Sequence, residues 1–248
     1  MATAATDTLF PDQARLALLL VIAPPATDTL SAATDYGLDV GLPRLLTLFA
    51  SYQLRASVLV GADLLDQRPD LLAQLGVAGH ELVAHCASAD LPTLLPQLRL
   101  VEGAVVQGWQ ALEPADDVHV DPAQLLAAGV SYRLREARTE TPLQQLCSLG
   151  TLVDLPLTPD ADDLAMAPWP ASDAWLQHLI DSFDTLHDEA TPGEPRLLGL
   201  TLHPQIIGRP GRIKALEQFL AYATQQEGVW CAPGGAIALA SSQPLGEG

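Results

Sequence analysis

Residues 79–90, GHELVAHCASAD, hold a short apolar run between two histidines, His80 and His85. A glycine precedes the run and small residues follow it, so the stretch reads as a short buried strand. Alternation along a strand puts Glu81, Val83 and His85 on one face and His80 on the other. The two histidines therefore cannot both ligate one ion from a regular strand. One turn past His85, where a metal-binding pair would place its second histidine, stands Ala89.

Strand-like and helix-like segments alternate on both sides of this stretch. Upstream, LALLLVI (16–22) is continuous and apolar, as in a strand covered on both faces. GLPRLLTLFASYQ (41–53) has Pro43 near a helix start and sets Leu45, Leu48 and Phe49 on one helical face. RASVLVG (55–61) is a second strand, and DLLAQLGVAG (70–79) a helix stopped by glycine. Downstream come a helix over 91–107, then DPAQLLAAGVSYRL (121–134), a helix opened by Asp121 and Pro122 that runs into a strand. A strand over 150–158, a helix over 172–190, a strand over 196–204 and a helix over 211–226 complete the series. Such alternation implies parallel strands joined by helices, in an open sheet or a barrel. About seven units favour a single-domain, distorted (β/α) barrel of the α/β class, whose sites gather at the carboxyl ends of its strands. The expected domain spans 12–242, with tails at 1–11 and 243–248.

Composition excludes some partners. Lys and Arg number 12 against 30 Asp and Glu, a net charge of −18, which repels nucleic acid and anionic membrane. Cys86, Cys147 and Cys231 form no CxxC pair and fit a reducing compartment. The apolar run at 16–22 follows a segment with two aspartates and no basic residue before Arg15, wrong for a secretion signal, so a cytoplasmic protein is expected.

The stretches from Gly41 to His85, "GW" at Gly108 and Trp109, TPDADD (158–163) and LHPQIIGRPGR (202–212) carry a resemblance. Together they resemble the polysaccharide deacetylase superfamily, in particular its allantoinase-like and cyclic-imide-hydrolase-like branch. The resemblance implies hydrolysis of non-peptide C–N bonds in amides, imides or ureides. It also implies a divalent metal held by one aspartate and two histidines, an aspartate as general base and a late histidine as general acid. Aligned residue by residue, the first-strand acids fall near Ala23 and Pro25, and the paired histidines on His85 and Ala89. Gln110 stands in place of the arginine that follows "GW", and His203 matches the late histidine. One histidine cannot hold a metal that needs at least three protein ligands, so neither a metal nor another cofactor is expected.

The remaining candidates carry two readings each. His203 is the proposed proton-transfer residue, and His85 either a pocket hydrogen-bonding group or a core histidine. Trp109 is a pocket wall or packing. Asp35, Asp162 and Asp163 reach the pocket or are solvated loop acids. Arg209 and Arg212 clamp a carboxylate or serve the helix that starts beside them. Two functions follow: a noncatalytic binding module, alone as a homo-oligomer or as the inactive subunit beside an active paralogue, or a metal-independent C–N hydrolase. A small polar ligand suits both.

Overall fold

Leu16–Ile22 forms β1, and all seven of its residues are buried. In a computed structural model that describes residues 10–25, 32–113, 117, 120–164 and 172–242, this strand lies within a nine-stranded sheet. Its odd and even positions serve different cores. Leu16, Leu18, Leu20 and Ile22 pack outward under the helices, while Ala17, Leu19 and Val21 face the interior with Val83, Leu134, Val153 and Leu155. Burying each such leucine stabilises the fold by about 1.5–3 kcal/mol, so a strand this apolar needs both faces covered.

The other strands are β2 (Ser57–Val60), β3 (Glu81–His85), β4 (Gly108–Gln110), β5 (Tyr132–Glu136), β6 (Leu143–Cys147), β7 (Gly150–Leu157), β8 (Arg196–Leu202) and β9 (Val229–Cys231). Their order is β6-β7-β5-β4-β3-β2-β1-β8, and β9 pairs with the start of β1. Every pairing is parallel except β6 with β7. Helices α1 (Ala32–Tyr36), α2 (Leu42–Ser51), α3 (Ala62–Gln67), α4 (Pro69–Val77), α5 (Leu91–Leu98), α6 (Pro122–Ala127), α7 (Ser172–Glu189), α8 (Pro204–Ile207), α9 (Pro210–Ala223) and α10 (Gly234–Ser241) connect and cover the strands.

The sheet curls until the end of β7 meets β8. Thr158 N–H donates to Gly199 O at 3.0 Å and Asp163 N–H to Thr201 O at 3.2 Å, while the segment between β5 and β6 adds a bond from Leu197 N–H to Glu140 O at 2.7 Å. Closure demands glycine at 199, where a Cβ would lie 2.6 Å from Pro156 O. The result is the curled, mostly parallel half-barrel expected of a distorted (β/α) barrel.

At the amino end of the strands, α10 plugs the interior. Its first two amides donate inward, Gly234 N–H to Ser57 Oγ and Gly235 N–H to Glu81 Oε2, each at 2.9 Å. Ser57 Oγ–H donates to the same Glu81 oxygen at 3.0 Å. Burial raises the Glu81 carboxyl above its ordinary value, opposed by the hydrogen bonds from Gly235, Tyr132 and Ser57. Tyr132 is wholly buried here, and a Cβ at Gly108 or Gly234 would strike its ring, which explains both glycines.

Three details correct the sequence reading. The antiparallel hairpin of β6 and β7 was not foreseen, because LQQLC has neither a strand's alternation nor an apolar run. The helix expected over 91–107 stops at Leu98 and gives way to a turn ahead of β4. Phe10, placed in the amino-terminal tail, is buried against Trp230 with ring centroids 5.4 Å apart, so the packed core starts before residue 12. Residues 1–9 and 243–248 lie outside the described residues.

Candidate functional site

Parallel strands bring their carboxyl ends to one rim, and the candidate residues occupy two parts of it. The first part lies where β8 ends. His203 follows Leu202 and precedes α8, whose proline start fixes the chain direction. The residue before a proline is held extended, which turns the imidazole back toward the segment after β7. That segment pairs with β8 through Asp162 and Thr201. It delivers Asp163, 3% exposed, against His203. Asp163 Oδ1 accepts from the His203 ring at Nδ1 across 2.6 Å, and both carboxylate oxygens accept from His203 N–H at 3.1 and 3.0 Å. Asp162 Oδ1 lies 3.5 Å from the same ring nitrogen and accepts from Leu164 N–H at 2.7 Å.

Burial pulls the His203 imidazole down, but the hydrogen bond and charge of Asp163, with the charge of Asp162, outweigh it and leave His203 raised. The pair therefore holds a proton more tightly than a free histidine does. Chemically it is an oriented imidazole, with Nδ1 fixed by a carboxylate and Nε2 left for another partner. Asp162, Asp163 and His203 are also the three metal-capable groups whose ligand atoms lie within 4.8 Å of one another among the described residues. A metal taking His203 Nδ1 would replace the hydrogen bond that this nitrogen makes with Asp163 Oδ1.

The second part of the rim lies where β1, β2 and β3 end. A cleft of about 560 Å³ is lined by Pro24, Pro25, Asp63, His85, Cys86 and Asp90, among others. A neighbouring cleft of about 520 Å³ shares His85 and Leu112 with it and continues past Gln110 to Arg135 and Arg138. Burial lowers the His85 pKa, against the Gln110 backbone and the charge of Asp63, so this ring is neutral at pH 7. His85 Nδ1 and Gln110 Oε1 are buried and find no hydrogen-bond partner among the described residues. Cys86, beside His85, has its thiol pushed up to about 11 by burial, which makes it a poor nucleophile.

The other candidates are placed as follows. His80 is a core histidine: its Nδ1 accepts from Ala56 N–H at 3.2 Å, and burial with the charge of Arg55 lowers it to about 4. Trp109 is no pocket wall. It is wholly buried in the outer core, and its indole N–H donates to Cys86 O at 3.1 Å. Asp35 is exposed on α1 and lines neither cleft. Arg209 is not a carboxylate clamp in this structure: its guanidinium lies 4.8 Å from the Tyr36 ring centre, and its Nε–H donates to Gln205 O at 3.0 Å. Among the described residues, His203 lines neither of the two clefts that contain His85. Sequence reasoning missed the lining acids Asp63, Asp66 and Asp90, because nothing in their spacing marks them.

No family model matches the chain. A Schizosaccharomyces pombe protein named a polysaccharide deacetylase is 35% identical over 94 residues, which cover 37% of this chain and 29% of that protein. The chain thus matches under a third of that relative's length. Among solved structures, a protein from Mycobacterium smegmatis named a polysaccharide deacetylase superposes with a TM-score of 0.81 at 23% identity, over 96% of this chain and 93% of that one. Puue allantoinase superposes with a TM-score of 0.78 at 22% identity, over 94% and 92%. A CE4 family pseudoenzyme from Bacillus anthracis superposes with a TM-score of 0.53 at 10% identity, over 92% and 66%. At these identities the structural likeness establishes the fold.

Proposed function

We propose that this chain is a noncatalytic protein of the polysaccharide deacetylase superfamily that binds a small polar ligand at the carboxyl rim. The observation that carries this reading is the wall of the β1–β3 cleft. Where the superfamily resemblance calls for acids that bind metal and take a proton, the chain offers Ala23, Pro24 and Pro25, and Pro24 and Pro25 line the cleft beside His85. Ala23, Pro25 and Ala89 supply no ligand atom and His85 supplies one nitrogen, a donor set that does not fit a catalytic divalent metal. His85 lines this cleft and its neighbour, and Gln110 lines the neighbour; an imidazole and a carboxamide side by side suit an amide, imide or ureide, which presents both N–H and C=O. The three free cysteines support residence in a reducing compartment such as the cytoplasm.

A second reading rests on the Asp163–His203 pair. An imidazole fixed by a carboxylate at 2.6 Å is a competent proton carrier. In a metal-free hydrolase, His203 would take a proton from water as its oxygen attacks the carbonyl carbon. It would return that proton to the departing nitrogen as the C–N bond breaks.

One experiment separates the readings. The purified chain is assayed for metal content, and for hydrolysis and thermal-shift binding of allantoin, hydantoin, succinimide and N-acetylglucosamine. Binding that His85→Ala abolishes, without turnover, supports the first reading. Turnover that His203→Ala abolishes establishes the second. One equivalent of tightly held metal with His85 as a ligand overturns both.

A further inference from the structure

The two ends of the sheet differ. The outer side of β8 is closed by main-chain hydrogen bonds at Leu197, Gly199 and Thr201. The outer side of β6 has no strand beside it among the described residues. An open edge presents alternate N–H and C=O groups ready to pair with another strand, and folded proteins usually guard it with charge, proline or a covering element.

β6 itself carries neither a charge nor a proline. Residues 141–153 carry no charge, in a chain whose net charge is −18. Leu143 is 43% exposed, Leu146 81% and Leu149 59%. The neutral region extends sideways, because the Gln144 side-chain amide donates to Ser241 O at the end of α10. Residues 228–242, which include α10, are also uncharged, and Leu239 is 65% exposed.

We propose that β6 is the interface between two copies of this chain, paired antiparallel about a twofold axis. A strand edge is complementary to itself in that arrangement, so one patch serves both partners. Charge selects the same occupant. Two acidic copies repel each other over most of their surface, and the cost of approach is lowest where both are neutral. A basic partner gains nothing on β6, since the edge offers it no carboxylate. The added strand continues the sheet across the dimer and lies beside Leu143 and Leu146.

The test uses the full chain and light scattering after size exclusion across a concentration series. The wild type runs as a dimer at about 10 μM, and Leu143→Lys with Leu146→Lys weakens association by roughly 100-fold or more. Both substituted side chains are exposed, so the thermal midpoint extrapolated to the monomer should not move. Leu100→Lys, at an 85% exposed leucine outside this region, serves as the control and leaves the dimer intact. A wild type that stays monomeric at about 100 μM, or a dimer that survives the double substitution, overturns the proposal. So does a monomer that pairs only with a different protein.

Discussion

The β8 end of the rim and the β1–β3 end hold one histidine each, and their surroundings are opposite. His203 is held by a buried carboxylate on its ring and on its backbone. His85 sits beside two prolines with a ring nitrogen unpartnered. One histidine is fixed by a buried carboxylate; the other has none against its ring among the described residues. The contrast teaches that shared position on a barrel rim does not confer shared function. Orientation comes from partners, and here the partners are distributed unequally.

The largest effect expected from this contrast concerns Asp163. Its replacement by alanine strips the His203 amide and ring of their acceptors in a buried setting, which costs roughly 3 kcal/mol by the loss per orphaned group. His85→Ala gives up its hydrogen bond with the Gln110 backbone and should cost only about 1 kcal/mol. Urea denaturation of the two variants measures both. Equal costs would break the comparison.

A subtler effect is the sign of the pH dependence. His203 is raised from 6.5, so its contribution to stability is complete below 6.5 and is lost as pH rises through its native value. His85 is lowered from 6.5, so its contribution is complete above 6.5 and is lost as pH falls through its native value. Titration of the ring protons by NMR should place the two midpoints on opposite sides of 6.5. Asp163→Asn should move the His203 midpoint down and leave that of His85 in place.

The smallest effect sharpens the account of Arg209. If its guanidinium serves only Tyr36 and Gln205, then Arg209→Gln costs about 0.5–1 kcal/mol in thermal or urea unfolding and changes no ligand affinity. A large fall in the affinity of a carboxylate ligand would return Arg209 to the pocket.

Much of this was legible beforehand, for definite reasons. Leu16–Ile22 could be read as a doubly covered strand because seven apolar residues in succession have few other uses. His85 could be set at a strand end because alternation and the following small residues bound the strand. Trp109 was legible as an aromatic but not as a buried one, since its donor's partner, the Cys86 carbonyl, comes from a neighbouring strand. The meeting of Asp163 with His203 joins residues forty positions apart. Only the closure of β7 onto β8 creates it, and no local signal encodes that closure. Hairpin β6–β7 was illegible because its glutamines mask the alternation.

The plug at the amino end gives the molecule a division of labour. Glu81, Ser57, Tyr132 and the first amides of α10 lock the interior at the end of the strands remote from the rim. Cohesion is thus anchored at the end remote from the rim clefts. Side chains on the opposite rim can be exchanged without the barrel coming apart, so the architecture and the chemistry of the rim can change independently.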